Sequence, residues 1–386
     1  MLIFVGHPMR AAFLSAFPPY RGGISQFSAR LVTELRKAHA VEAFTFTRQY
    51  PDLLFPGSSQ YDAAQADPVN ARRVLDSIGP WTWGRTAKAM AASRPDVAVL
   101  RYWMPFFAPA LGSVAGTLHR HGVPVVAIVD NAIPHEPRSC DKAFTRWFLG
   151  RCDGFVALTE AVAADIRGMR PDARIAVLPH PLYDHFGAPV EQATARERLG
   201  LPADARVLLF FGLIRDYKGL DILLDAFAGL DERHHLVIAG EPYGDMAPYQ
   251  ERIARLPRPG RVHLHARYIP DAEVPLFFGA ADAVVLPYRS GTQSGITAIA
   301  QHFALPVLAT DVGGLKEAIA HEVTGLVIPS PEARAVREAI GRLFEEDRLV
   351  RFRKALQDRR AALSWERFAD GLVGFCEALR HDRVTT

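Results

Sequence analysis

Three cysteines in 386 residues, Cys140, Cys152 and Cys376, form no CxxC pair. So sparse and odd a set fits a reducing cytoplasm better than a disulfide framework. No apolar run approaches the about 20 residues needed to cross a bilayer. The opening MLIFVGHPMR lacks a basic n-region and a small-residue cleavage site, so it does not read as a signal peptide; Met9 reads as an alternative start. Low-complexity tracts and short internal repeats are absent, which sets aside solenoids and disordered tails. GxGxxG, GxxxxGK[ST], HExxH, GxSxG and Asp-x-Asp are all missing. Their absence argues against a dinucleotide enzyme, a Walker-type ATPase, a zinc protease, an acyl hydrolase and a diphosphate-bound divalent ion, in that order. Charge of one sign is scarce too. The net charge is +3, with 20 Lys+Arg against 15 Asp+Glu in residues 1–185 and 25 against 27 in the remainder. The modest positive bias of the first half favours an anionic surface or acidic acceptor there.

What is present is a soluble composition, 49% apolar and 23% charged, over a length that calls for two domains of roughly 180 residues. Strands and helices alternate throughout, the rhythm of α/β layers on parallel sheets. The spacing predicts strands near 11–16, 41–47, 97–101, 124–129, 155–158 and 175–178, with helices near 24–38, 67–78, 83–93, 108–121, 140–150 and 160–168. Pro179-His180-Pro181 then stops regular structure, and the polar stretch 187–206 reads as the hinge. The rhythm restarts with strands at 207–212, 236–240, 262–265, 283–286, 306–309 and 326–328. The expected division is 1–186, 187–363 and a final helix, 364–386, returning to the first domain. Two doubly wound, Rossmann-like domains facing across a cleft are expected to bind ligands at the carboxyl ends of their strands.

The richest segment is DAVVLPYRSGTQSGITAIAQHFALPVLATDVGGLKE, residues 282–317. A strand ends at Pro287, a polar loop follows through Thr292, Gln293, Ser294 and Gly295, and Ile296, Ile299, Ala300 and Phe303 form one helical stripe. Small residues at a helix start leave backbone N–H groups for an anion, most often a phosphate. A second candidate is FFGLIRDYKGLD, where Gly212 ends a strand and Arg215 and Lys218 stand three residues apart; two cations there suit a diphosphate. In the first half, Gly22 and Gly23 join a strand to a helix behind Arg21 and permit close approach of a ligand. Asp130 and His135, in VDNAIPHE after a buried strand, could hold sugar hydroxyls or do acid–base work. Trp147, Phe148 and Leu149, between Arg146 and Arg151, make a basic-aromatic stretch that suits peripheral membrane contact as well as a buried helix.

With these motifs assembled, the chain resembles the family 4 glycosyltransferases, retaining sugar-nucleotide enzymes of the GT-B fold. The resemblance runs through Gly22-Gly23, GLIRDYKG, AGEPYG at 239–244, Tyr268-Ile269-Pro270, the 287–295 loop, DVGGLKE and HEVTGLVIP. It implies that Gly23 lies against donor phosphates, that Arg215 and Lys218 bind the diphosphate, and that amides around Gln293, Ser294 and Gly295 meet phosphate or sugar. It further implies donor contacts from Glu241 and base contacts near Arg267 and Tyr268. The family's usual Glu-x7-Glu pair falls at Gly291 and Ile299, a usual cation at Leu213, and a usual histidine at Asp130, with His135 as stand-in. The implied reaction moves a glycosyl group from a nucleoside-diphosphate sugar to a glycan or lipid-linked acceptor hydroxyl, with retained configuration and without a metal. No cofactor beyond that donor and no nucleic acid is expected; the expected setting is cell-surface polysaccharide or glycoconjugate synthesis at the inner face of the membrane. A GT-B sugar-nucleotide 2-epimerase and a catalytically silent partner of an active transferase remain as alternatives.

Overall fold

The computed structural model describes residues 8–51, 59–62, 67–134, 139–291 and 294–385. The chain divides into two compact units, one running to His180 and resuming at Ser364, the other spanning Pro181–Leu363.

The first unit is built on a parallel sheet of seven strands: β1 (Arg10–Leu14), β2 (Ala40–Arg48), β3 (Arg72–Asp76), β4 (Val97–Tyr102), β5 (Val125–Val129), β6 (Gly154–Ala157) and β7 (Ile175–Val177). Their spatial order is β3-β2-β1-β4-β5-β6-β7. Strand residues alternate between two buried faces, the pattern expected when helices cover both sides of a parallel sheet. Ala12, Leu14, Ala98 and Leu100 meet Met90, Leu111, Val114 and Phe148 on one side. Phe13, Val99, Val126 and Ile128 meet Phe27, Leu31, Trp365 and Leu372 on the other. The final helix Trp365–Thr385 thus belongs to the first unit, where Trp365 and Phe368 sit edge-on to Phe27.

The second unit carries six parallel strands: β8 (Arg206–Phe211), β9 (His234–Ala239), β10 (Val262–His265), β11 (Ala283–Leu286), β12 (Val307–Thr310) and β13 (Gly325–Ile328), in the order β10-β9-β8-β11-β12-β13. Each unit therefore reverses its winding once, between β1 and β4 in the first and between β8 and β11 in the second. In open α/β sheets the carboxyl end of that switch point is where ligands bind.

One expected element is of the wrong type. The helix anticipated near 67–78 is the edge strand β3, paired in parallel to β2 with Phe44 opposite Arg72 and Thr45 opposite Arg73. Backbone pairing to β2, with Arg72 bonded across to Glu42, overrides the weak local pattern.

Candidate functional site

In the second unit the switch point is occupied by two loops. The first leaves β8 at Gly212, whose φ of 95° suits glycine alone. A Cβ on Gly240 would fall 1.8 Å from the Gly212 carbonyl oxygen, so the ends of β8 and β9 meet backbone to backbone. The Ile214 N–H donates to the Glu241 carbonyl and the Tyr243 N–H to the Ile214 carbonyl, extending that seam. Arg215 is extended, residues 216–218 make one 3-10 turn, and Gly219 adopts a left-handed conformation that swings the chain into the helix Leu220–Phe227.

The second loop leaves β11 and is tied to the first. The Arg289 N–H donates to the Tyr217 carbonyl at 2.7 Å, and its guanidinium bonds the Asp216 carbonyl and Asp221. A Cβ on Gly219 would lie 2.1 Å from the Pro287 carbonyl oxygen, so glycine is also what allows the loops to touch. The helix Gly295–His302 then starts behind Ser294, whose side chain caps none of its amides. Ile296 reaches back over Gly212: a Cβ there would be 3.1 Å from Ile296 Cδ1 and 3.3 Å from Lys218 Nζ.

Electrostatically this junction is one-sided. Lys218 is buried, its ammonium 5.6 Å from the Tyr288 ring centroid. Arg215 stands with its guanidinium 4.9 Å from the ring centre of Tyr243. Neither cation forms an ion pair or hydrogen bond with another described residue through its side chain. Burial, with the nearby charge of Arg215 second, pushes the Lys218 ammonium down to about 8. Two adjacent cations without a counter-charge, beside an uncapped helix start, form a site for an anion carrying more than one charge.

Gly212, Arg215, Lys218, Glu241, Ser294 and Gly295 therefore lie on loops that follow β8, β9 and β11, neighbouring strands of one sheet. Arg267 and Tyr268 follow β10, one strand further out. Arg267 is exposed and ion-paired with Glu273, its N–H held by the His265 carbonyl. Thr292 and Gln293 lie outside the described residues. Tyr288, Tyr243 and Arg289 were not singled out from sequence, and Ile296 was read only as part of a buried helical stripe. Tyr288 and Arg289 stand in the quoted PYRSG run, but no pattern there says which way a side chain points.

In the first unit, Gly22 (φ 101°) precedes the helix Gly23–Leu35 at the carboxyl end of β1. Asp130 follows β5 and is buried, both carboxylate oxygens receiving hydrogen bonds from the buried Arg101 guanidinium at 2.8 and 2.6 Å. Arg101 lies 3.8 Å from the Phe27 ring centre and also approaches Ser28, which bonds Ser15. His135 lies outside the described residues. Among the described residues no group of three or more His, Cys, Asp or Glu side chains is placed to hold a metal.

Two Rossmann-like units in tandem define the GT-B class, to which solved structures add a fold-level match. A sucrose-phosphate synthase from Thermosynechococcus elongatus superposes with TM-score 0.73 at 20% identity, covering 98% of this chain and all of that one. Anabaena HepE in complex with UDP gives 0.74 at 17% identity, covering 96% of this chain and all of that one. The family follows from sequence. The model described as Glycosyltransferase Family 4 matches residues 21–183, and that described as Glycosyl transferases group 1 matches 191–360. A D-inositol 3-phosphate glycosyltransferase from Saccharomonospora viridis is 33% identical over 91% of this chain and 88% of its own length. Matches to proteins of the same name from Corynebacterium urealyticum and Jonesia denitrificans span only 61% and 38% of those chains, at 29% and 35% identity. The chain belongs to the family 4 glycosyltransferases.

Proposed function

We propose that this protein transfers a glycosyl group from a nucleoside-diphosphate sugar to an acceptor hydroxyl with retention of configuration. The observation that carries the reading is the uncompensated pair Arg215 and Lys218 at the β8–β11 switch point. A departing diphosphate supplies the negative charge those cations lack, and the amide-rich start at Ser294-Gly295 supplies donors for its oxygens. The leaving phosphate can take the acceptor proton itself, so catalysis rests on positioning and preorganised charge rather than on a strong enzymic base. The acceptor is proposed to be a polyol or glycan, lipid-linked where it serves cell-surface polysaccharide synthesis. The names of the relatives make D-inositol 3-phosphate the first acceptor to try. A peripheral seat on the cytoplasmic face of a membrane completes the proposal.

A thermal-shift series with UDP, GDP and ADP tests the donor half. A bound diphosphate at a hundredfold excess over its Kd stabilises by about 2.7 kcal/mol. Arg215→Ala and Lys218→Ala are each expected to cut turnover by at least about tenfold while the protein stays folded. Epimer formation from a sugar nucleotide without acceptor would replace transfer by isomerisation, and no shift with any nucleotide would leave a silent partner.

A further inference from the structure

Three helices lie side by side on one face of the first sheet: Pro80–Ala92, Ala108–Arg120 and Asp141–Leu149. On the first helix, Trp81, Arg85 and Lys88 fall at i, i+4 and i+7, and Trp81 is 68% exposed, the most exposed aromatic among the described residues. On the third, Phe144 and Trp147 fall at i and i+3, 43% and 39% exposed, with Arg151 stacked at 5.1 Å from the Trp147 ring. The middle helix is recessed. A Cβ on Gly112 would lie 2.2 Å from Trp147, so the indole rests in the space that glycine leaves.

The charge on this face is mostly of one sign. Counting the three helices and the residues after the third as far as Asp153, there are six Lys or Arg residues and two acids, Asp141 and Asp153, the latter facing His119 of the middle helix. None of the six forms an ion pair with a described residue, whereas most arginines elsewhere do. The sequence-stretch Trp147–Leu149 is only partly responsible: Phe148 and Leu149 are fully buried in the core, and Trp81, far off in sequence, takes their place at the surface.

We propose that this three-helix face docks on an anionic lipid bilayer, the aromatics entering the headgroup layer and the cations answering its charge. Exposed tryptophans flanked by unpaired Lys and Arg suit an interface that is wet on one side and apolar on the other. A protein partner would need acids spread over three helices; a bilayer supplies uniform negative charge over any such area. The inference deepens the peripheral membrane seat proposed above and is independent of the donor assignment.

The full chain is sedimented with vesicles of phosphatidylcholine alone and of phosphatidylcholine with phosphatidylglycerol, at low and high salt, while tryptophan emission is followed. Binding to the anionic vesicles only, weakened by salt, with a blue-shifted emission, is expected. Arg85→Glu with Lys88→Glu, both fully outward, should lower vesicle affinity by at least about tenfold, and Trp81→Ala should remove most of the blue shift. Both variants should keep the wild-type nucleotide response, which separates loss of docking from loss of the donor site. Equal binding to neutral vesicles, no binding to either, or unchanged binding by the charge-reversed variant would overturn the proposal. So would competition by soluble glycerol phosphate, which marks a headgroup pocket, or equal retention on heparin, which marks a general polyanion surface.

Discussion

Lys218 Nζ lies over the face of Tyr288, 5.6 Å from its ring centre, in a side chain only 7% exposed. Burial is the main reason its ammonium titrates near 8 rather than 10.5, and Arg215 adds to it. Between those two values the unfolded chain holds a proton that the folded chain has released. Stability therefore rises with pH through that window as the cost of the buried charge disappears. Anion binding runs the other way, because it requires the charged form. Nucleoside-diphosphate affinity should be level up to about pH 7.5 and fall above about pH 8, approaching tenfold per pH unit. Titration calorimetry at several pH values checks this, with Lys218→Met as the control that binds weakly at every pH and melts higher. Affinity flat to about pH 10 would remove Lys218 from the anion site.

Why so much of this site was legible lies in its glycines and cations. Gly212 and Gly219 mark positions where only a missing Cβ fits, and Arg215 and Lys218 stand between them in the chain. The alternating apolar runs of both sheets were equally plain. Other relationships depend on register and direction. Arg101 and Asp130 are 29 residues apart and meet only because β4 and β5 pair in parallel with Arg101 opposite Ile128. Strand β3 reads as a helix from sequence because its first two residues, Arg72 and Arg73, are both charged and exposed although they point to opposite faces, so the apolar alternation of a strand is missing. The tie of Arg289 to Asp221 joins residues 68 apart, and nothing local announces it.

The contact between the two loops gives a mutational test. Gly219 combines φ 67° with a hypothetical Cβ only 2.1 Å from the Pro287 carbonyl oxygen. Gly219→Ala must strain the backbone and push the loops apart. A loss of at least about 2 kcal/mol in urea unfolding is expected, together with weaker nucleotide binding. Gly341 lies inside the helix Ala333–Leu343 with open space at its Cβ position. Gly341→Ala should instead stabilise by up to about 1 kcal/mol without touching nucleotide affinity. Equal behaviour of the two variants would mean the Gly219 contact is not what joins the loops.

On β9 and β10, His235 Nδ1 and His263 Nε2 share a hydrogen bond of 3.0 Å. One ring donates and the other accepts, so the pair cannot be doubly protonated and keep it. Both imidazoles are held below their ordinary value, first by burial, then by Arg261 beside His235 and by His235 beside His263; His234 and His265 add smaller effects, and Asp204 opposes them at His235. The unfolded chain therefore takes up protons below about pH 6.5 that the folded chain refuses, and stability falls as pH drops through that range. Urea midpoints should be flat between about pH 7 and about pH 8, below the window in which Lys218 acts, and decline toward about pH 5. His263→Gln keeps a side-chain amide able to bond His235 and should make the decline shallower. An unchanged slope in that variant would shift the effect to other groups, such as His234.

Asp130 poses a different question, because its carboxylate is turned to Arg101 rather than left open. Both oxygens receive guanidinium hydrogen bonds inside a core where the two side chains are nearly inaccessible. Removing one member breaks a buried ion pair, which typically costs about 3–5 kcal/mol. Asp130→Asn and Arg101→Met should each lower the melting temperature sharply, and the paired replacement Arg101→Met with Asp130→Leu should recover much of the loss. The pair joins the carboxyl ends of β4 and β5 and, through Phe27 and Ser28, holds the helix that begins at Gly23. On this geometry Asp130 acts by positioning, so activity should track stability across the three variants. A fall in kcat for Asp130→Asn with the melting temperature unchanged would instead give Asp130 a direct part in proton transfer.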